Sequence, residues 1–106
     1  MPNDKPTNQS QSATAVHTSP HIEAALNRLG ELADYVYTDV VDNPKKPGSK
    51  AHERYSLIRP GMSVREVVYT TFKKLKDGEK EAERVFKDLK WDMDKQRHFY
   101  RLERPS

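Results

Sequence analysis

After residue 20 the apolar residues of this chain gather into five short clusters, separated by punctuation such as Asn43-Pro44, Arg59-Pro60-Gly61 and Asp77-Gly78. Proline lacks a backbone N–H and restricts the residue before it, and glycine favours turns, so no regular element is expected to run through these points. The chain is thereby limited to short helices and strands that must pool their apolar faces in one two-layer unit. With 106 residues and a hydrophobic fraction of 34%, and a mean hydropathy of −1.00, that core is small. An internal enzyme cavity would consume much of it.

Charge is divided along the chain. Residues 1–42 carry two basic side chains, Lys5 and Arg28, against six acidic ones, whereas residues 43–106 carry 17 Lys/Arg against 10 Asp/Glu. A compact basic half points to a polyanionic partner, with nucleic acid the commonest. The absence of cysteine excludes disulfides, thiolate metal sites and a thiol nucleophile, and fits a reducing compartment. No apolar run approaches the roughly 18 residues of a membrane span, and the N-terminus has neither the basic start nor the apolar stretch of a signal peptide. A soluble cytoplasmic protein with no membrane partner is expected.

Residues 1–18 are polar and contain two prolines, so they are read as a disordered arm, followed by a single domain over 19–104. Ser19-Pro20 starts a helix, with Ser as N-cap and Pro at the first helical position, and Asn43-Pro44 places its end near Val41. Within it Ile22, Leu26, Leu29, Ala33, Val36 and Val40 follow at spacings of four and three, a heptad-like seam. One reading packs the seam on the rest of the domain; the other makes it the interface of a homodimer. Residues 43–53 read as a basic linker, and Tyr55–Ile58 as a short strand closed by Arg59-Pro60-Gly61.

Ser63-Val64-Arg65-Glu66 is a capping box that nucleates a second helix, with Val64, Val67, Val68, Phe72 and Leu75 on one face and Asp77-Gly78 as its end. A third helix over 79–89 turns Ala82, Val85, Phe86 and Leu89 inward. Residues 90–104 alternate apolar and charged residues around the polar Asp94–Arg97 tip, which predicts a two-stranded hairpin packing Trp91 or Phe99 on the second and third helices. In this order (helix, short strand, helix, helix, C-terminal hairpin) the elements resemble a winged helix, an α+β fold whose second and third helices form a helix-turn-helix. The competing architecture is a three-helix bundle in which 90–104 extends the last helix.

Nothing in the chain has the makings of a catalytic site or a cofactor site. The four histidines have no metal-ligand spacing, no glycine-rich phosphate loop is present, and Asp92 and Asp94, paired on one outward strand face, lack the cleft that two-carboxylate hydrolysis needs. No enzyme activity, metal or cofactor is therefore expected. The basic residues carry the functional reading. Lys80, Arg84 and Lys87 stand at i, i+4 and i+7, one stripe along the third helix; Lys73, Lys74 and Lys76 close the second helix; Lys95 and Arg97 project from the hairpin. These eight form the expected nucleic-acid surface, with lysines on phosphates, Arg84 as the candidate for a base edge and linker residues Lys45, Lys46 and Lys50 adding affinity.

Against it, Glu79, Glu81 and Glu83 crowd the start of the third helix, where they also suit the helix dipole. The favoured reading is a small regulator or accessory factor binding duplex DNA, of the kind a phage or plasmid encodes, including transcription regulators. The alternative is a non-enzymatic module that inhibits or recruits a protein partner.

Overall fold

The computed structural model describes residues 19–105, and the expected N-terminal arm lies outside them. Helix α1, Pro20–Leu29, begins at the expected Ser19-Pro20, although the Ser19 hydroxyl makes no capping bond and donates instead to Glu79, and it buries Ile22, Ala25 and Leu29. It stops twelve residues short of the expected end at Val41. Gly30 adopts φ 58° and ψ −132°, a conformation that costs glycine little and other residues much. A 3₁₀ turn, Gly30–Asp34, then leads into strand β1, Val36–Thr38.

The supposed heptad seam therefore does not lie along one helix. Ile22 and Leu29 belong to α1, Ala33 to the 3₁₀ turn and Val36 to β1. Ile22, Leu29 and Ala33 are buried in the core of this chain, and Leu26 and Val40 pack against it. The spacing thus serves the local core. The β-branched and aromatic run Val36-Tyr37-Thr38 prefers a pleated surface once a partner strand is present.

That partner is β2, Arg101–Glu103, paired antiparallel so that Val36 faces Glu103, Tyr37 faces Leu102 and Thr38 faces Arg101. The other side of β1 is bonded as well: the Tyr37 N–H donates to the Met62 carbonyl, the Gly61 N–H to the Tyr37 carbonyl and the Val64 N–H to the Tyr35 carbonyl. The short strand expected at Tyr55–Ile58 is replaced by this isolated pairing around Ser63. Tyr55 instead closes helix α2, Lys50–Tyr55, which occupies the second half of the expected linker. The Ser49 hydroxyl caps α2 by accepting the His52 N–H.

Helix α3, Val64–Lys74, opens on the expected capping box: the Ser63 hydroxyl accepts the Glu66 N–H at 3.1 Å and the Glu66 carboxylate accepts the Ser63 N–H at 2.8 Å. Val64, Val67, Val68 and Thr71 are its buried face. Asp77, at φ 58°, turns the chain into helix α4, Gly78–Glu83. A Cβ on residue 78 would stand 2.0 Å from the Phe72 carbonyl oxygen. Glycine is required there because α4 starts in contact with the α3 backbone.

The expected third helix is bent at Arg84 into α4 and α5, Val85–Asp92. Ala82, Val85 and Leu89 are buried, as the periodicity predicts. Beyond Leu89 the expected hairpin is not formed. Trp91 and Asp92 continue α5, Asp94 begins a turn in which its carboxylate accepts the Gln96 N–H, and only Arg101–Glu103 is strand. The three-helix alternative fails equally, because the chain leaves the helix after Asp92.

The result is a small α+β domain of packed helices with a two-stranded antiparallel sheet. Tyr37, Tyr55 and Tyr100 form the aromatic end of the core, with the Tyr37 and Tyr100 rings edge-to-face at 4.9 Å. Among the described residues no helix is long and apolar enough to cross a membrane.

Candidate nucleic-acid interface

Helices α4 and α5 carry charge on both sides. On the inner side three carboxylates are taken up by distant partners. Arg54, buried at the end of α2, donates to Glu81 at 2.6 Å and to both oxygens of Asp88 at 2.6 and 3.0 Å. Asp92 is 1% exposed and accepts from the Lys45 ammonium and, at 2.8 Å, from the Tyr100 hydroxyl.

Burial pushes the Asp92 carboxyl above its ordinary pKa, with Lys45 and Tyr100 opposing that rise. A buried charge without such partners would cost several kcal/mol, on the order of the effective desolvation penalty per ion. Asp92 was expected on an exposed strand face beside Asp94. The helix turns it inward, so the proposed carboxylate pair does not exist. Lys45, expected to contribute to the basic surface, is likewise committed: it is 12% exposed at the side chain and lies 5.4 Å from the Phe99 ring centre.

On the outer side Lys80, Arg84 and Lys87 are all exposed. The fold brings them, with Arg28 of α1, to the rim of one depression of about 220 Å³. Glu83 also lies there, but its carboxylate accepts a hydrogen bond from Nδ1 of His21. That bond is the main reason the His21 imidazole titrates above its ordinary value, with Glu79 adding to the effect. The hydrogen bond from His21 engages the one acidic group on this rim.

Lys87 continues into a second, open cleft of about 540 Å³ bordered by Lys90, Trp91 and Arg97. Its acidic members are also engaged, Asp88 by Arg54 and Asp94 by Arg97 and the Gln96 N–H. A cationic strip therefore runs from Arg28 across α4 and α5 to Arg97.

The remaining expected residues lie off this strip. Lys73 and Lys74 are exposed at the end of α3, Lys76 is exposed in the following turn, and Lys95 is exposed after α5; none of them lines either cleft. Lys50 stands 3.7 Å from Glu53 on its own helix. Three residues of the strip, Arg28, Lys90 and Trp91, went unnoticed as parts of a binding surface in the sequence. Arg28 sits in the acidic half and joins α4 only through the packing of α1. Of the two aromatics either of which was expected to pack inward from a hairpin, Trp91 is 57% exposed and Phe99 packs against the core.

An apolar groove of about 480 Å³ lies beside the strip, lined by Leu32, Tyr35, Phe86, Leu89, Met93 and Leu102. Among the described residues no group of three His, Cys, Asp or Glu side chains is placed to hold a metal ion. Comparison of the chain with protein-family models, with curated proteins and with solved structures finds no match.

Proposed function

We propose that this protein is a small non-enzymatic nucleic-acid-binding protein, acting as a regulator or accessory factor, whose contact surface is the outer side of α4 and α5. One observation carries the reading. Lys80, Arg84 and Lys87 converge with Arg28 on one depression in which Glu83 is engaged by His21, leaving cations that have no carboxylate partner among the described residues. A polyanion releases its counterions on meeting such a surface, and that release supplies sequence-independent affinity.

The pair α3 and α4, joined across the tight turn before Gly78, supports a helix-turn-helix-like presentation of this surface, the feature shared with winged helices. Duplex DNA is the ligand expected on that comparison. The phosphate contribution is common to duplexes and single strands.

The test is a binding titration with duplex and single-stranded DNA at low and moderate salt, repeated with Lys80→Ala/Lys87→Ala. Wild-type protein should show a steep negative log–log salt slope. The double variant should lose about one unit of slope per phosphate contact removed and weaken on all sequences alike. An unchanged affinity and slope in the variant would make these lysines a solvated face. No wild-type binding at low salt would favour the second reading, a protein-interaction module, for which the apolar groove between Leu32, Phe86, Met93 and Leu102 supplies the specific surface.

A further inference from the structure

Trp91 is the only tryptophan in the chain, and at 57% it is the most exposed of the large apolar side chains among the described residues. A single exposed aromatic is ordinary on a protein surface, and what singles Trp91 out is the arrangement of cations around it. Its surroundings are ordered and cationic. Arg97 folds back on it, the guanidinium carbon 3.6 Å from the ring centre and the Nε–H donating at 2.7 Å to the Trp91 carbonyl. One ring face is thus covered. Exposure above half of the residue then requires the opposite face to be largely open.

Lys87 lies one helical turn before Trp91 on α5, and Lys90 and Arg97 border the same cleft of about 540 Å³, so the indole shares it with three cationic side chains.

We infer that Trp91, backed by Arg97, is a stacking platform for an unpaired nucleobase, with Lys87 and Lys90 placed for the adjoining phosphates. The inference rests on the nucleic-acid reading above and narrows its ligand to a single strand at this end of the strip. A base offers a flat π-face to the open side of the indole, and the stacked guanidinium on the far side fixes the ring and adds positive charge. Base pairing in a duplex hides those faces, so a duplex cannot use the platform without opening. The cleft's carboxylates are engaged by Arg54 and Arg97, which reduces the repulsion that phosphate would otherwise meet. The apolar groove suited to a protein partner is lined by a different set of side chains, with Lys90 alone in common.

The experiment measures the affinity of the full chain for labelled oligothymidylate, oligouridylate and a DNA duplex, over a salt series, with Trp91→Ala and Trp91→Phe beside the wild type. Stacking of one base corresponds to a loss of roughly 5- to 150-fold in single-strand affinity for Trp91→Ala. Trp91→Phe should recover most of it, while the salt slope and duplex affinity stay as in the wild type. Quenching of the wild-type tryptophan fluorescence by single strands, absent with the duplex, reports the same contact directly. Loss on both polymers identifies the base as the ligand in DNA and RNA alike; loss confined to one names that polymer as the source.

Salt-dependent binding that Trp91→Ala leaves intact, or weakens equally on duplex and single strands, overturns the platform and leaves the phosphate reading standing. Absence of wild-type binding to all three polymers overturns both. The exposure of the side chain makes its truncation compatible with folding, and an unchanged circular dichroism melt checks this.

Discussion

On the inner side of α4 and α5, Glu81, Asp88 and Asp92 each accept a hydrogen bond from a cation brought from more than twenty residues away, whereas on the outer side Lys80, Arg84, Lys87 and Lys90 have no carboxylate partner among the described residues. The same residue types have opposite fates on two sides of one bent helix. Inside, desolvation forces each charge to find a counter-charge or be expelled. Outside, water solvates the charge and an ion pair would contribute only about 0–1 kcal/mol, so the cations remain available to a ligand. The inner pairing also serves the outer face, because it consumes carboxylates that would otherwise screen it.

The contrast can be broken most severely at Arg54. Arg54→Met leaves Glu81, 4% exposed, without its cation, and should lower unfolding free energy by about 3–5 kcal/mol in urea denaturation. A loss below about 1 kcal/mol would place the inner pairs with ordinary surface bridges.

Alkali should act on the same side of the molecule. Burial pushes the Tyr55 hydroxyl from its ordinary 10.0 up to about 12, and burial also raises Tyr37 and Tyr100. The unfolded chain therefore releases these protons at lower pH than the folded one. Stability from them is complete below the ordinary tyrosine value and declines as pH rises towards the folded value. Circular dichroism and tyrosinate absorbance should change together through that window; ionisation of the buried tyrosines well before unfolding would contradict it.

Thr71 sharpens the rule for uncharged groups. Its hydroxyl is buried and has no hydrogen-bond partner among the described residues, so Thr71→Val should stabilise the fold by about 1 kcal/mol. A destabilised variant would show that the hydroxyl is satisfied in solution. At the other extreme, Lys80→Ala/Lys87→Ala should change thermal stability by no more than about 0.5 kcal/mol, since neither side chain supports the fold. A larger loss would mean that the outer cations, like the inner ones, are structural.

Local chemistry made part of this molecule legible. Ser19-Pro20 placed the start of α1, Ser63 and Glu66 placed the start of α3, and the apolar faces of Val64, Val67 and Val68 and of Ala82, Val85 and Leu89 point where their spacing says they should. The stripe of Lys80, Arg84 and Lys87 could likewise be read from its spacing, and all three are exposed together. What could not be read involved partners distant in sequence. The four–three spacing from Ile22 to Val40 is compatible with one long helix, and only the pairing of Val36–Thr38 with Arg101–Glu103 makes the second half a strand. Nor did the alternation around Trp91 and Met93 reveal that Asp92 would be held inside by Lys45 and Tyr100.

The sequence by itself determined where α1 and α3 begin, which of their faces and those of the following helix are apolar, and the stop at Asp77-Gly78, because each depends on backbone sterics or on residues within a turn of one another; the excess of positive charge after residue 43 is a matter of composition. Tertiary structure alone decided which charges are spent and which are left. Arg54, Lys45 and His21 are unremarkable side chains until folding sets them against Glu81 and Asp88, Asp92, and Glu83, and Arg28 and Trp91 become part of a surface only when α1 and α5 are packed. The reason is range: steric and capping preferences act over a few residues, whereas desolvation and charge pairing depend on what the whole chain brings within a few ångströms.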